Sequence, residues 1–247
     1  MDLKHIVSFS GGKDSTAMLL MMIERDMQID EIIFCDTEKE FPEMYKHIKK
    51  VEAYICRPII TLKPEPKHKF DYLMFNHIKT KGKNKGKKGY GWAYSNCRWC
   101  SQNVKRTTMD NYFKALNKDY IEYIGIAFDE LERVKTNIPI KKYPLIEWKI
   151  TEGEALKYCY DKGFDWDGLY TKFNRVSCWC CPFSNLKELR NMYVFYPELW
   201  KQLKDMDKRS CNSFRSTRSK SGIQLVSVQD LENRFDKEIK EATCKNF

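Results

Sequence analysis

The chain lacks the features that mark membrane proteins, secreted proteins and nucleotide-binding proteins of the Walker type. No apolar run approaches the length of a transmembrane helix. The N-terminus has no basic stretch followed by an apolar segment and a cleavage site. No Gly-x-x-x-x-Gly-Lys-Ser/Thr sequence occurs, and no internal repeat is visible. These absences predict a soluble, cytoplasmic protein without a membrane partner.

The cysteine content and the net charge of the chain each narrow the possible functions further. Ten cysteines in a chain without a secretory signal do not indicate a disulfide framework, and in a reducing compartment clustered cysteines more often hold a metal. There are 44 Lys and Arg residues against 34 Asp and Glu residues, which gives a net charge of +10. This excess favours an anionic partner, with a nucleic acid as the first candidate, although a generally lysine-rich sequence would show the same charge.

The order of the apolar segments predicts the fold class. Residues 4–9 and 31–36 form short apolar runs that are typical of buried strands, and residues 14–25 have apolar side chains at helical spacing. A second helix is predicted to begin at Pro42, and a third strand is predicted in residues 57–63. This alternation predicts an α/β fold with a doubly wound, mostly parallel sheet covered by helices on both faces.

The second half of the chain is predicted to be richer in helix. Residues 120–127 return to a strand pattern, and Thr151 begins a helix with a capping box. From Ser184 onward the pattern is helical. A basic polar segment in residues 208–222 interrupts it, and an amphipathic helix over residues 228–242 follows.

The residues between the first strand and the first helix are Ser10-Gly11-Gly12-Lys13-Asp14-Ser15. A glycine-rich turn before a helix N-terminus presents backbone N–H groups and the positive end of the helix dipole to an anion. Gly11 and Gly12 let the backbone approach that anion closely, and Lys13 adds a positive charge. The pattern therefore predicts an anion-binding loop, and the alternative is an ordinary turn before an N-capped helix.

The same six residues resemble the PP-loop of the ATP pyrophosphatases, the adenine nucleotide α-hydrolase superfamily. The resemblance implies that the loop binds pyrophosphate and that the bond between the α- and β-phosphates of ATP is broken. We expect Mg²⁺ to accompany the nucleotide, because such chemistry needs a counter-ion for the phosphates. The implied nucleotide-binding residues are Ser8, Ser10, Gly11, Gly12, Lys13, Asp14, Ser15, Thr16 and Asp36, and the implied catalytic residues are Lys13, Asp14, Asp36 and Arg133.

Three later segments resemble the phosphoadenylyl-sulfate (PAPS) reductase branch of this superfamily. They are Asp36-Thr37-Glu38 with Phe41-Pro42-Glu43, the stretch of residues 125–135, and Pro144-Leu145 with Trp148. The resemblance implies that Arg133 binds phosphate or substrate. Asp36 follows a predicted strand, where it could contact the ribose or the Mg²⁺. The arginine that this branch carries earlier in the segment is absent, because Ala127 and Phe128 stand there.

Reduction of PAPS in this branch uses a C-terminal Glu-Cys-Gly-x-His sequence with a redox-active cysteine. The chain here has Glu-Ala-Thr-Cys-Lys-Asn-Phe, in which Cys244 has neither those neighbours nor a nearby histidine. A PAPS or APS reductase that uses an external thiol is therefore an alternative rather than the first expectation.

Two Cys-x-x-Cys turns are predicted to share one metal centre through Cys97, Cys100, Cys178 and Cys181. Four thiolates could hold a [4Fe–4S] cluster or a tetrahedral Zn²⁺, and unrelated buried thiols are the remaining alternative. Both segments resemble the ATP pyrophosphatase of DNA phosphorothioation systems, which implies the [4Fe–4S] cluster. The role of Cys180, inside the second turn, stays open.

Two basic stretches are predicted to contact nucleic acid. The first is a loop at residues 79–91, predicted to be mobile and solvated, in which Lys79, Lys81, Lys83, Lys85, Lys87 and Lys88 precede Tyr90, Trp92 and Tyr94. The second contains Arg209, Arg215, Arg218 and Lys220. Lysine and arginine contact phosphates and aromatic rings stack on bases, whereas the alternative is a merely solvated surface.

These observations combine into one functional hypothesis. Residues 1–150 form a PP-loop nucleotide-binding domain, and residues 151–247 form a helical region that completes the four-cysteine site. The enzyme cleaves ATP to AMP and pyrophosphate and adenylates an acceptor for sulfur transfer to a nucleic acid. A non-enzymatic zinc protein that binds nucleic acid is the second alternative. The acceptor, the sulfur donor (a cysteine desulfurase, for example) and the oligomeric state, a homodimer included, stay open.

Overall fold

The structure, a computed structural model, describes residues 3–134, 138–219 and 222–244. Lys220, at the end of the second basic stretch, lies outside these residues. The chain separates into two compact units, the first formed by Met1–Asp36, Glu40–Lys63 and Thr107–Thr171, and the second by Thr37–Lys39, Pro64–Arg106 and Lys172–Phe247. This division differs from the predicted boundary at residue 150, because residues 64–106 join the C-terminal helices and residues 151–171 join the sheet.

The first unit contains a five-stranded parallel sheet with the strand order β3-β2-β1-β4-β5. Its strands are β1 (Lys4–Ser8), β2 (Glu31–Cys35), β3 (Ile60–Leu62), β4 (Tyr120–Ile124) and β5 (Lys141–Lys142). Its helices are α1 (Lys13–Glu24), α2 (Pro42–Ile55), α3 (Thr107–Leu116), α4 (Pro144–Glu147), α5 (Glu152–Asp161) and α6 (Leu169–Lys172). The predicted doubly wound, parallel α/β fold is confirmed.

Burial explains why the central strands are nearly all apolar. Ile6 and Val7 of β1 and Ile32 and Ile33 of β2 are buried, as expected for strands covered by helices on both faces. Helix α1 is buried continuously from Ser15 to Met22. The chain order places β2 and β3 on one side of β1, and β4 and β5 on the other. The strand order therefore reverses between β1 and β4, which is where parallel sheets bind ligands.

Local signals at two helix starts match the prediction. The Thr151 side chain accepts a hydrogen bond from the Glu154 backbone N–H, and the Glu154 side chain accepts one from Thr151 N–H, so the predicted capping box is confirmed. Pro42 occupies the first turn of α2, where its missing N–H costs no hydrogen bond.

The second unit is mainly helical. Its α-helices and strands are α7 (Leu186–Phe195), α8 (Pro197–Arg209), β6 (Arg215–Ser219), β7 (Gly222–Val226) and α9 (Val228–Cys244). A 3₁₀-helix at Pro66–His68 and π-helices at Tyr72–Asn76 and Cys100–Arg106 precede them. Trp200, Leu203 and Phe235 are buried in this unit. Residues 215–219 and 222–226 pair as a hairpin, a feature that the sequence analysis, which described residues 208–222 only as a basic polar segment, did not predict.

The basic loop at residues 79–91 belongs to the second unit and is closed by backbone hydrogen bonds. Lys79 N–H donates to Lys87 O over 3.0 Å, and Gly86 N–H donates to Lys79 O over 2.8 Å. Residues 81–88 are all exposed. The lysines therefore project from a hydrogen-bonded turn. In the part of the chain that the structure describes, no helix combines the length and apolar character that crossing a bilayer requires.

Candidate functional site

The Ser10–Ser15 loop lies where the strand order reverses, between the carboxyl ends of β1 and β4. A Cβ atom on Gly125, just after β4, would stand 2.7 Å from the backbone of Ser15, so only glycine allows this close approach. Gly11 has φ +77°, and a Cβ there would stand 2.6 Å from Met44 Sδ. Both glycines therefore serve the packing of the loop against its own unit.

Two hydroxyl groups of the loop brace each other. Ser10 Oγ lies 2.9 Å from Ser15 Oγ, which also accepts from Ser10 N–H over 3.2 Å. The Ser15 hydroxyl is placed to donate to Gly12 O over 3.0 Å. These hydrogen bonds stabilise the turn. If Ser10 and Ser15 bind the nucleotide as predicted, their hydroxyl groups must exchange some of these hydrogen bonds for contacts with the ligand.

Lys13 is buried, with 7% of its surface exposed. Its ammonium group lies 3.0 Å from the Asp14 carboxylate and forms a second ion pair with Glu152 at the start of α5. Burial lowers the pKa of Lys13, but the two carboxylates outweigh it and raise the pKa overall, so the side chain stays charged. Glu152 is a site residue that the sequence analysis missed.

Three carboxylates meet beside this lysine. Asp14, Glu130 and Glu152 have oxygens within 4.8 Å of one another, and among the described residues they form the one group of His, Cys, Asp or Glu side chains at such spacing. Burial raises the pKa of Asp14. Arg133, a predicted catalytic residue, pairs with Glu130 and so belongs to the same cluster. If the protein holds a divalent cation here, these oxygens are the available ligands.

Two predicted nucleotide-binding residues have contacts elsewhere in the unit. Asp36 is buried and accepts a hydrogen bond from the Tyr45 hydroxyl over 2.8 Å. The Ser8 hydroxyl donates to the Glu122 carboxylate over 2.6 Å. Neither side chain belongs to the three-carboxylate group, so Asp36 is not placed as a ligand of a cation bound there.

Aromatic residues contact the loop, and the sequence analysis assigned no role to them. Trp166 Nε1–H donates to Gly11 O over 2.8 Å, and the Lys13 backbone N–H donates to the Tyr170 hydroxyl over 2.9 Å. Thr16 Oγ1 lies 2.9 Å from Nε2 of the buried His47, whose ring stacks on Trp166. Burial, with a smaller effect of Lys50, lowers the pKa of His47 to about 3, so this imidazole is neutral.

The four predicted metal ligands all lie in the second unit. Cys97 N–H donates to Tyr94 O over 2.8 Å, and Cys100 begins a π-helical turn, Cys100–Arg106. Burial and the neighbouring Cys181 raise the pKa of Cys100, and burial and Cys178 raise that of Cys180. The pKa of a thiol responds only to charges nearby, so Cys100, Cys178, Cys180 and Cys181 lie near each other.

The spacing of the thiols bears on which metal they could hold. A tetrahedral zinc ion keeps its sulfurs about 3.8 Å apart, since each Zn–S bond is about 2.3 Å long. No three cysteine sulfurs lie within 4.8 Å of one another in residues 3–134, 138–219 and 222–244. In the described positions the thiols therefore do not already form a zinc site. Thiolate sulfur is the donor that both Zn²⁺ and iron–sulfur clusters take.

Aromatic side chains surround the cysteine turns. Trp99 and Trp179 are buried, and Trp99 Nε1–H donates to Gly91 O over 3.0 Å. Trp179 N–H donates to Lys39 O over 3.0 Å, which ties the second turn to residues 37–39. Thr37 Oγ1 lies 3.7 Å from Cys178 Sγ. The turns are therefore held by both apolar packing and backbone hydrogen bonds.

Comparison with known proteins identifies the sequence family. The family model described as phosphoadenosine phosphosulfate reductase domain matches residues 4–184. The uncharacterized protein MJ0066 of Methanocaldococcus jannaschii is 26% identical over 80% of this chain and 40% of its own length. The uncharacterized protein MJ0973 of the same organism is 27% identical over 82% of this chain and 47% of its own length. The chain thus spans less than half the length of these curated relatives.

The chain is also similar to a solved structure. The phosphate complex of the PAPS reductase from Candida auris is 15% identical to this chain, with a TM-score of 0.46. The match covers 70% of this chain and 81% of that chain.

The cysteine site yields the first testable prediction. Cys100→Ser and Cys178→Ser are each expected to lower the iron content of anaerobically purified protein together with its thermal stability, because closing a metal site is coupled to folding. Cys56→Ser, at an exposed position after α2, is the control and should leave both unchanged. Metal analysis and the visible absorption spectrum provide the readout. A full iron content in Cys100→Ser, or stoichiometric zinc without iron in the wild type, contradicts the shared cluster.

Proposed function

The chain belongs to the phosphoadenosine phosphosulfate reductase domain family, and from that premise we propose that it cleaves ATP to AMP and pyrophosphate and adenylates an acceptor. The observation that carries this proposal is the Ser10–Ser15 loop, held at the reversal of strand order with a buried, charged Lys13 at the start of α1. A loop of this kind binds oxyanions such as the phosphate groups of a nucleotide.

The residues of the loop have separate tasks in this reaction. The N–H groups at the start of α1 and the Lys13 ammonium neutralise the negative charge that develops on the leaving pyrophosphate. Asp14 and Glu152 keep Lys13 charged and oriented until the phosphates replace one of them as its partner. Arg133, which pairs with Glu130, would bind a further phosphate oxygen.

The charge of the cluster supports the expected Mg²⁺. Asp14, Glu130 and Glu152 carry three negative charges against the two positive charges of Lys13 and Arg133. A nucleotide that arrives without a cation would meet net repulsion from these groups. Bound Mg²⁺ would supply the missing positive charge, and the carboxylates of Asp14, Glu130 and Glu152 are the groups that would hold it.

Two features of the second unit support sulfur transfer to a nucleic acid. The first is the gathering of Cys100, Cys178 and Cys181, which could hold the [4Fe–4S] cluster that the likeness to DNA phosphorothioation enzymes implies. The second is the charge of the exposed loop, since no acidic residue lies between Asp71 and Asp110 to neutralise its lysines. The adenylated acceptor is then a nucleic acid, and the sulfur comes from a donor such as a cysteine desulfurase.

A second candidate function is favoured by the description of the matching family. Reduction of PAPS or APS by an external thiol would use the same anion loop and would not need a redox-active cysteine near Cys244. Release of sulfite from PAPS would support this candidate, whereas release of pyrophosphate from ATP supports the first. Nucleic acid binding with neither product would support the non-enzymatic alternative.

The anion loop yields the second prediction. Lys13→Ala is expected to slow pyrophosphate release from ATP by about 10²–10³-fold, since it removes a charge aimed at the leaving group. The control is Lys157→Ala, because Lys157 is exposed on α5 and pairs with Asp161 in solvent. Rates are compared at a temperature where both variants are folded, because Lys13→Ala leaves two carboxylates without their partner. Equal rates in Lys13→Ala and the wild type contradict the proposed role of the loop.

The basic loop yields the third prediction. Changing Lys81, Lys83, Lys85 and Lys87 to serine is expected to make the log–log dependence of DNA or RNA affinity on salt less steep by about 3–4, if each lysine contacts a phosphate. Thermal stability should not change, because these side chains are exposed. A control variant loses the same charge at four exposed lysines elsewhere, Lys49, Lys157, Lys237 and Lys240. The same salt dependence in both variants would show that the loop is only a solvated surface.

A further inference from the structure

The first backbone N–H group of α1 is bonded to a tyrosine. Such a group has no partner inside the helix and is normally the one that an anion at the helix start would take. Here Lys13 N–H donates to the Tyr170 hydroxyl over 2.9 Å. The hydroxyl also stands 3.4 Å from the point where a Gly12 Cβ would be. Tyr170 therefore touches the face of the loop that the phosphates are proposed to occupy.

The hydroxyl of Tyr170 is available as a hydrogen-bond donor. Because its oxygen accepts from Lys13 N–H, its own O–H is free to point away from the backbone. Within the part of the chain that is described, this O–H donates to no protein acceptor. Burial raises the pKa of Tyr170, so the phenol remains protonated at neutral pH. An oxyanion is the acceptor that an anion-binding loop would bring to it.

The segment that carries Tyr170 is built to hold this position. Trp166 Nε1–H donates to Gly11 O over 2.8 Å, and the Trp166 ring contacts the Tyr170 ring edge-on at 4.8 Å between centroids. Trp166 and Asp167 have φ of +52° and +50°, a left-handed backbone conformation that is uncommon for residues other than glycine. Such strain persists only where the surrounding contacts enforce it, and it concentrates at binding sites.

From this geometry we infer that Tyr170 is a phosphate-binding residue of the loop, whose hydroxyl donates a hydrogen bond to an oxygen of the pyrophosphate group while it accepts one from Lys13 N–H. The inference rests on the proposed nucleotide cleavage and adds a ligand contact from a segment more than 150 residues away in the chain. The hydroxyl extends the row of donors at the start of α1 and fixes the phosphate relative to Lys13.

The test is the affinity for inorganic pyrophosphate, measured by calorimetry without any turnover. Tyr170→Phe removes one oxygen and keeps the ring against Trp166, so we expect folding to be retained. The affinity of Tyr170→Phe is expected to fall about 10- to 100-fold, the usual effect of losing a hydrogen bond to a charged group. Tyr160→Phe, at an exposed position on α5, is the matched control and should bind like the wild type.

A second variant separates ligand binding from loop support. Trp166→Phe loses the hydrogen bond to Gly11 O but removes no phosphate-facing group. If Tyr170 binds phosphate, Tyr170→Phe loses more affinity than Trp166→Phe at equal or smaller loss of thermal stability. If Tyr170 only supports the loop, the affinity losses of the two variants follow their stability losses, and the inference is wrong.

The outcomes distinguish this inference from the proposed function. Equal or tighter binding by Tyr170→Phe, with a wild type that binds pyrophosphate, overturns the role of Tyr170 and leaves the anion loop intact. Tighter binding would mean that the hydroxyl merely occupies the place of the anion on Lys13 N–H. A wild type that binds no pyrophosphate overturns both the loop assignment and the inference.

Discussion

A buried ammonium group at the start of a helix is the constraint on which the first unit depends. The N-terminal end of a helix dipole is positive, so Lys13 is placed where a cation is disfavoured, and burial adds a desolvation cost. Asp14 and Glu152 offset both effects. Because Glu152 begins α5, the ion pair also fixes α5 against α1. The proposed function requires that a phosphate replace one of these carboxylates as the partner of Lys13.

The sheet could be predicted from the sequence because its signals are local. The apolar runs of β1 and β2 and the capping box at Thr151 each depend on neighbouring residues, and the structure confirms all three. The hairpin of β6 and β7 was missed because Arg-Ser-Thr-Arg-Ser has no apolar alternation and pairs through its backbone. The division into units depends on contacts between distant segments, for which the sequence carries no local signal.

The candidate site also combines residues that a local sequence signal marks with residues that only distant contacts bring together. The loop could be proposed as an anion site from the sequence because its glycines, lysine and hydroxyl side chains stand between a predicted strand and a predicted helix. Glu152, Trp166 and Tyr170 could not be predicted, since each reaches the loop from a segment more than 100 residues later. Glu130 lies in the stretch of residues 125–135, in which the resemblance assigned a role only to Arg133. One signal was present: Gly125 follows an apolar strand, where a residue without a Cβ indicates close approach of another backbone. That backbone is the one at Ser15.

The central claim is that the start of α1 binds the pyrophosphate part of ATP, and backbone amide NMR tests it most directly. In a spectrum of ¹⁵N-labelled protein, inorganic pyrophosphate is expected to shift the amide signals of Gly11, Gly12, Asp14 and Ser15 by more than those of any other segment. The amide of Gly163, at an exposed position after the end of α5, serves as an internal reference within the same unit. Unchanged signals for the four loop amides at saturating pyrophosphate, or shifts confined to another part of the chain, would contradict the account.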